Sequence, residues 1–401
     1  MKPASFSALV LAGCLLGGPS PVSAADASRE CAAQVAQWLD PASGEVIASQ
    51  KVFEQVATGK IVLLGEVHTS EAHHGWQHYM LAALHSRNSN MVVGLEMLPR
   101  SVQQVLDDWS AGRLDTGTFL ERARWDELWG YDPGLYLPIL EFAKLNRLPT
   151  VALNIDRELV SRVGAEGWQA VPAGERMGLS DPAPASESYR QSLAELFAYK
   201  QSMMNHGGGD AEADLGEIMQ SDAFNNFVDA QLTWDRAMAE ALAEAYRLEP
   251  KAQVVGIVGR GHLEYGYGIP HQLADLGIDD VVVLLPIDAD CAGLEPGLAD
   301  AVFVVDAPSA EAAAPRPRLG VMIENADRGV RVMQVVANSV AEGSGLREGD
   351  IIRRAAGFET STSTALIEVI QRQAPGTWLP LQVERDGREL EIVARFPQTF
   401  E

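Results

Sequence analysis

The chain has 401 residues, enough for one large and one small domain, and its 47% hydrophobic content is ordinary for a protein with a sizeable core. The formal net charge is −24. That acidity argues against a nucleic-acid partner, which needs clustered Lys and Arg, and fits a self-repelling surface.

The chain opens as a targeting segment. Lys2 precedes the apolar run FSALVLAGCLLGG, and Val22 and Ala24 give a secretory cleavage pattern after Ala24, so residues 1–24 read as a signal peptide. The run is too short for a permanent membrane span. LAGC, Leu11 to Cys14, also matches a lipobox, in which cleavage before Cys14 leaves a lipidated cysteine and an outer-membrane anchor. Both readings place the protein outside the cytoplasm, periplasmic or outer-membrane-associated in a Gram-negative bacterium. Cys31 and Cys291 lie near the two ends of the first domain, residues 25–306. Domain termini are often close and an exported chain meets an oxidising compartment, so this pair is the candidate disulfide.

Five near-continuous apolar runs follow: KIVLLGE from Lys60, NMVVGLEM from Asn90, PTVALNI from Pro149, AQVVGIVG from Ala252 and DVVVLLP from Asp280. Their lack of alternation marks parallel strands covered on both faces. DAVFVVDA from Asp300 reads as a sixth strand, at an edge. Helical patterns lie between them: SEAHHGWQHYMLAALHSR from Ser70 after a Thr/Ser cap signal, GLYLPILEFAKLNR from Gly134, and the amphipathic DAFNNFVDAQLTWDRAMAEALAEAYRL from Asp222. The alternation predicts an α/β domain with a mainly parallel sheet flanked by helices. Glu166 to Gly216 interrupts it with VPAGERMGLSDPAPASES and NHGGGD around one helix, a helical excursion expected to cover the open end of the sheet as a lid. Residues 307–317 have the composition of a linker. Residues 318–398 form a small β-rich module, with short strand patterns such as RLGVMIEN, GVRVMQVV and RELEIVARF and a helix at STALIEVIQRQ.

Ligands of open parallel sheets bind beyond the C-terminal ends of the strands. Here those ends carry Glu66 and His68, then Glu96, then Asn154 and Asp156, then His262. Two runs close on the same Gly-x-x-His, Gly65 to His68 and Gly259 to His262. Gly65, Gly259 and Gly261 permit a sharp turn or close approach. Two histidines and two carboxylates on one rim suit three chemistries. One is a divalent metal site. A second is general acid–base catalysis, with His68 or His262 paired to Glu66 or Glu96. The third is recognition of an anion such as a propionate.

On the first helix, His74, His78 and His85 share a face, as a metal-binding pair or a solvated stripe. No Glu stands between His74 and His78 as a zincin base, no GxSxG elbow occurs, and GRGHLEYGYG lacks a dinucleotide fingerprint. Tyr265 and Tyr267 in that loop are either packing aromatics or candidates for ferric haem, which tyrosinate can ligate.

Together LLGEVHTSEAHHGWQ, VVGLEML, YDPGLYLPILEFAKLNRLPTVALNID, FVDAQLTWDRAMAEAL and VGRGHLEYGYGIPHQL resemble the ChaN-like haem-binding uptake family, in the same order through nearly all of the first domain. The wider group includes TIKI/TraB-type and erythromycin-esterase-like proteins. The resemblance implies an exported protein of haem or iron uptake. Its haem would sit at a homodimer interface, with a Tyr on the iron and a His near the propionates. The residues at matching positions are Glu66, His68, His73, His74, Gln77, Glu96, Tyr136, Asn154, Asp235, Arg236 and His262, and the iron-bearing tyrosine is Tyr136, Tyr265 or Tyr267. Thr69 stands where the family has Asp, and Arg260 where it has Asn.

The same resemblance implies an alternative, a metal-dependent or His/Glu hydrolase, protease or esterase, with Glu66, His68, Glu96 and His262 as its catalytic groups. The C-terminal module resembles a PDZ domain of the HtrA-like type, through RLGVMI and VVANSVAEGSGLREGDIIRRAAG. That implies capture of a partner's C-terminal peptide, its carboxylate meeting loop N–H groups near Leu319, Gly320 and Val321. A third reading makes the chain a PDZ-led scaffold.

Overall fold

The structure, a computed structural model, describes residues 33–204, 214–306, 317–326 and 328–398. The expected signal peptide and lipobox, Cys31 and nearly all of the expected linker lie outside the described residues. The chain divides into two compact units, the first within residues 1–307 and the second within 308–401.

In the first unit, β1 (Trp38–Leu39), β2 (Val46–Ile47) and α1 (Ser49–Thr58) precede β3 (Ile61–Glu66), and α2 (Glu71–His85) leads to β4 (Met91–Pro99). Next come α3 (Gln103–Ser110), α4 (Thr116–Arg122), α5 (Trp125–Leu128) and α6 (Pro133–Leu145), then β5 (Thr150–Asn154). After β5 the chain runs through α7 (Arg157–Glu166), α8 (Glu187–Met204), α9 (Leu215–Gln220) and α10 (Asp222–Leu248) to β6 (Gln253–Gly259). α11 (Ile269–Asp275) then leads to β7 (Val281–Asp288) and β8 (Ala301–Val305).

The sheet order is β2-β1-β8-β7-β3-β6-β4-β5, with β3 to β8 parallel to one another and β1 antiparallel to both of its neighbours, β8 and β2. The run from Asp300 is therefore not an edge. β8 pairs with β7 on one side and with Trp38–Leu39 on the other. A two-residue strand is too short to show a hydrophobic period.

One face of the sheet packs under Trp76, Met80, Leu84, Leu106, Ile139 and Leu140 from α2, α3 and α6. The other packs under Met238, Ala241, Leu242 and Ala245 of α10 and Leu273 of α11. The alanines let α10 seat closely, and each fully buried Leu or Val contributes roughly 1.5–3 kcal/mol. Caps set where the helices begin. Ser70 accepts from the His73 N–H at the start of α2, and Asp132 from the Gly134 N–H at the start of α6.

Among its described residues the excursion after Glu166 does not line the strand-end cleft, and NHGGGD lies outside the described residues. Trp168, Val171 and Leu179 pack on α7 and α10. Tyr189 and Leu193 of α8 pack on Phe224, Val228 and Leu232 of α10. Its apolar positions are spent on α10, and residues 128–131 wall the strand-end cleft instead. Cys291 is disulfide-bonded. No helix among the described residues is long and apolar enough to cross a membrane.

The second unit contains β9 (Val321–Ala326), β10 (Gly329–Val335), α12 (Val340–Ser344), β11 (Ile351–Ala355), β12 (Phe358–Glu359), α13 (Ser363–Gln371), β13 (Trp378–Arg385) and β14 (Arg388–Arg395). Its sheet is antiparallel, ordered β14-β13-β11-β10-β9 with β12 on β11, around a core of Leu319, Val332, Ile352, Leu366, Leu381 and Val383.

Candidate functional site

β3 and β6 are neighbours, with Glu66 opposite Gly259. The two Gly-x-x-His endings therefore emerge side by side, and β4 brings Glu96 to the same rim. Glu66 Oε1 lies 2.5 Å from His68 Nδ1. Glu96 accepts the Gly259 N–H through Oε2 at 2.5 Å and stands 3.5 Å from His262 Nε2 through Oε1. On its other side His262 Nδ1 lies 2.5 Å from Asp235 Oδ1. The site is thus two imidazoles, each backed by a carboxylate, with Glu96 beside them, and all five side chains are buried.

Space for this arrangement comes from glycine. Gly259 has φ −60°, open to any residue, but a Cβ there would stand 2.6 Å from His68 Cε1 and 3.4 Å from Glu96 Oε2. Gly65 lies against the second motif in the same way: a Cβ would stand 2.2 Å from Leu285 Cδ2 and 3.3 Å from the Arg260 Cα.

Burial alone lowers the pKa of His68, but the hydrogen bond and charge of Glu66, with the charge of Glu96, outweigh it, and the net direction is upward. For His262, burial is likewise outweighed by the charge and hydrogen bond of Asp235 and the charge of Glu96, so its pKa is also raised. Both rings are thereby biased towards imidazolium.

Above these groups opens a cleft with apolar walls from Met97, Leu128, Trp129, Tyr131, Ile155 and Trp234, and with Asn154, Asp156 and Arg157 at its polar side. The His68 ring meets Trp129 edge-on at 4.8 Å and Tyr131 at 4.9 Å. Asn154 donates to the Glu96 carbonyl at 3.1 Å. Trp129, Tyr131 and Trp234 carry no strand-end signal in the sequence, and Arg157 directly follows the strand-end Asp156. The quoted YDPG stretch, which begins at Tyr131, was the available signal.

Other expected residues go elsewhere. His73 accepts from the Val67 N–H at 3.1 Å and faces Asp288 at 3.5 Å; burial first, then the charges of Arg260 and His74, push its pKa down to about 3. His74 and Gln77 buttress β3: His74 reaches the His68 carbonyl at 3.2 Å, and Gln77 donates to the Leu64 carbonyl at 2.8 Å. His78 and His85 both pack edge-on against Phe142, which leaves no metal-binding stripe on α2. Arg236 turns away to Asp275 and Ser180, both at 2.6 Å.

The three expected tyrosines are not on the cleft. Tyr136 is fully buried among His74, Trp125 and Trp129, its pKa driven up by burial and the Glu66 charge. Tyr265, at φ 56°, donates to Glu295 at 2.8 Å and stacks on Tyr267 at 5.3 Å.

In the second unit the loop before β9 is tied to the segment that leads into α12. Gly320 has φ +77°, and a Cβ there would stand 2.3 Å from Ser339 Cβ. The carbonyls of Leu319 and Gly320 accept from the Ala341 and Val336 N–H groups. β9 pairs only with β10 among the described strands, so no described strand covers its second edge, and α13 lies beside it.

Glu66, His68 and Glu96 can each offer one ligand atom within 4.8 Å of the others, a grouping able to hold a metal ion. The haem-binding uptake model, Tiki superfamily, ChaN, matches residues 52–273, and a PDZ-domain model matches 317–394. No curated protein matches the chain by sequence. Among solved structures, ChaN of Campylobacter jejuni, described with cofacial heme binding, is similar at TM-score 0.52 and 17% identity, over 68% of this chain and 97% of that chain. The HtrA-type protease AlgW, with a decapeptide, is 24% identical over 20% of this chain and 28% of its own, at TM-score 0.19. An erythromycin esterase, EreC, in an open conformation, is 11% identical over 63% of this chain and 77% of its own, at TM-score 0.36. The last two similarities are too slight to bear on function. The first family model spans more than half of the chain, which therefore belongs to the haem-binding uptake family of the Tiki superfamily, ChaN, and carries a PDZ domain behind that domain.

Proposed function

We propose that the first domain binds haem in the strand-end cleft. One observation carries the reading: the strand-end cleft has apolar, aromatic walls, with Arg157 at its polar side. Those suit a flat apolar ring with carboxylates at its edge. Tyr131 is the tyrosine that lines this cleft, and its phenol is the group we assign to the iron. Family membership and the heme bound by the Campylobacter jejuni protein support the ligand class. Titration of the purified protein with haemin, followed at the Soret band, tests it.

A second reading is favoured by a specific feature. The His68–Glu66 and His262–Asp235 couples each fix Nδ1, and His262 Nε2 faces Glu96 at 3.5 Å, an arrangement suited to a general base and a general acid. Hydrolysis of aryl esters by the protein, lost on substitution of His68, supports this reading, and inertness towards such esters removes it.

We further propose export and a part in haem or iron uptake, with the PDZ domain docking a partner's C-terminal peptide along the second edge of β9. The leader at residues 1–24 and the disulfide-bonded Cys291 support export. Cell fractionation and the mass of the mature N-terminus test it and separate free export from lipidation at Cys14. Sedimentation with and without haemin tests for a homodimer.

A further inference from the structure

The strand-end site is reached from the helical excursion through the hydroxyl of Tyr189, which meets Asp235 and Gln231. Tyr189 of α8, itself buried, donates its hydroxyl to Asp235 Oδ2 at 2.9 Å. The other oxygen of Asp235 takes His262 Nδ1. Asp235 has no exposed surface, and Gly268 closes it from a further side: a Cβ there would stand 3.0 Å from Asp235 Oδ1 and 2.5 Å from the His262 carbonyl oxygen.

A carboxylate sealed in this way depends on its few donors to offset desolvation. Tyr189 remains a donor, because burial first and then the Asp235 charge push its pKa well up. On its far side the His262 ring meets Glu96 more loosely, at 3.5 Å, and the Trp234 ring at 6.3 Å. Gln231 lies 3.1 Å from the same Nδ1. The orientation of the ring is therefore set from behind, by Asp235 with Gln231 beside it, and the Tyr189 hydroxyl holds both.

We infer that Tyr189 is a positioning residue of the strand-end site, holding His262 through Asp235 with Nε2 towards Glu96, so that the seating of α8 and occupation of the cleft are coupled. The coupling rests on the haem reading, whereas the positioning does not. By linkage, an occupant that engages His262 favours the seated α8, and loss of that seat weakens the occupant.

The test is Tyr189→Phe in the full chain, with Leu193→Ala as its control. Phenylalanine keeps the ring that packs beside Tyr267 at 5.6 Å and removes only the hydroxyl. Leu193→Ala trims one apolar contact of the same helix and leaves the Tyr189 hydroxyl on Asp235. In protein with ¹⁵N-labelled histidine, the proton on His262 Nδ1 is read by NMR. A carboxylate with one donor fewer pulls harder on the donor that remains, so the resonance moves downfield in Tyr189→Phe and stays in place in Leu193→Ala. Haemin affinity falls roughly tenfold in Tyr189→Phe, the scale for losing a group that orients a binding residue. An unmoved resonance in Tyr189→Phe, or the same movement in both variants, overturns the positioning role. Wild-type protein that ignores haemin overturns the haem reading and the coupling, and the resonance still decides the positioning.

Discussion

The ring of His68 lies over Gly259, so near that a Cβ would stand 2.6 Å from Cε1. The histidine that ends the first Gly-x-x-His thus occupies the space left by the glycine that begins the second. Gly259→Ala keeps an allowed backbone but pushes His68 aside and disturbs Glu96, which holds the Gly259 N–H. Overpacking of this kind costs about 1–3 kcal/mol. Denaturant unfolding should show that modest loss, and haemin titration a much larger fractional loss of binding.

His262 and Asp235 form a buried pair, and removing one partner strands the other. His262→Ala should cost on the order of 3 kcal/mol, as should Asp235→Ala, because each leaves an uncompensated polar group. Replacing both should cost clearly less than the two single losses together. Urea unfolding of the three variants measures this, and strict additivity would mean that the pair is not coupled.

The strand-end groups were legible because a buried strand is an almost unbroken apolar run, and a charged residue at its end needs a reason. Glu66, Glu96 and His262 stand out in that way, and their convergence follows from parallel strands. The aromatic walls did not stand out, since Trp129 and Tyr131 lie on the connection between α5 and α6, where an aromatic residue has no periodic context. Tyr189 was hidden for a different reason. It lies on α8, more than forty residues before Asp235, and only the packing of α8 on α10 brings them together. The short helices α3 to α5 were missed because eight, seven and four residues carry too few turns to establish a helical period.

Stability should fall on acidification because of His73. Its pKa in the folded protein is about 3, against an ordinary value of 6.5. The unfolded chain therefore takes up a proton that the native protein refuses, and stability is lost as pH falls from 6.5 towards 3. One proton corresponds to about 1.4 kcal/mol per pH unit within that window. His68 and His262 shift upward, so their contributions are intact below the ordinary imidazole value and are lost only as pH rises through their raised pKa values. Urea unfolding between pH 4 and 7 should show a shallower acid slope in His73→Gln. An unchanged slope would remove His73 from the account.

Gly320→Ala should damage the PDZ domain alone. It places a side chain at positive φ and drives a Cβ into Ser339. C-terminal peptides should lose affinity for the variant, with haemin binding unchanged. Peptides with an amidated C-terminus should bind neither the parent protein nor the variant, since the loop N–H groups act on a carboxylate.

The most direct measurement is a haemin titration of the full chain and of Tyr131→Phe, followed at the Soret band and at the tyrosinate-to-iron charge-transfer region. The strand-end assignment predicts a saturable Soret change in the parent protein, with the charge-transfer feature absent and the affinity reduced in Tyr131→Phe. A parent protein without a specific Soret change, or a variant that retains the charge-transfer feature at full affinity, contradicts it.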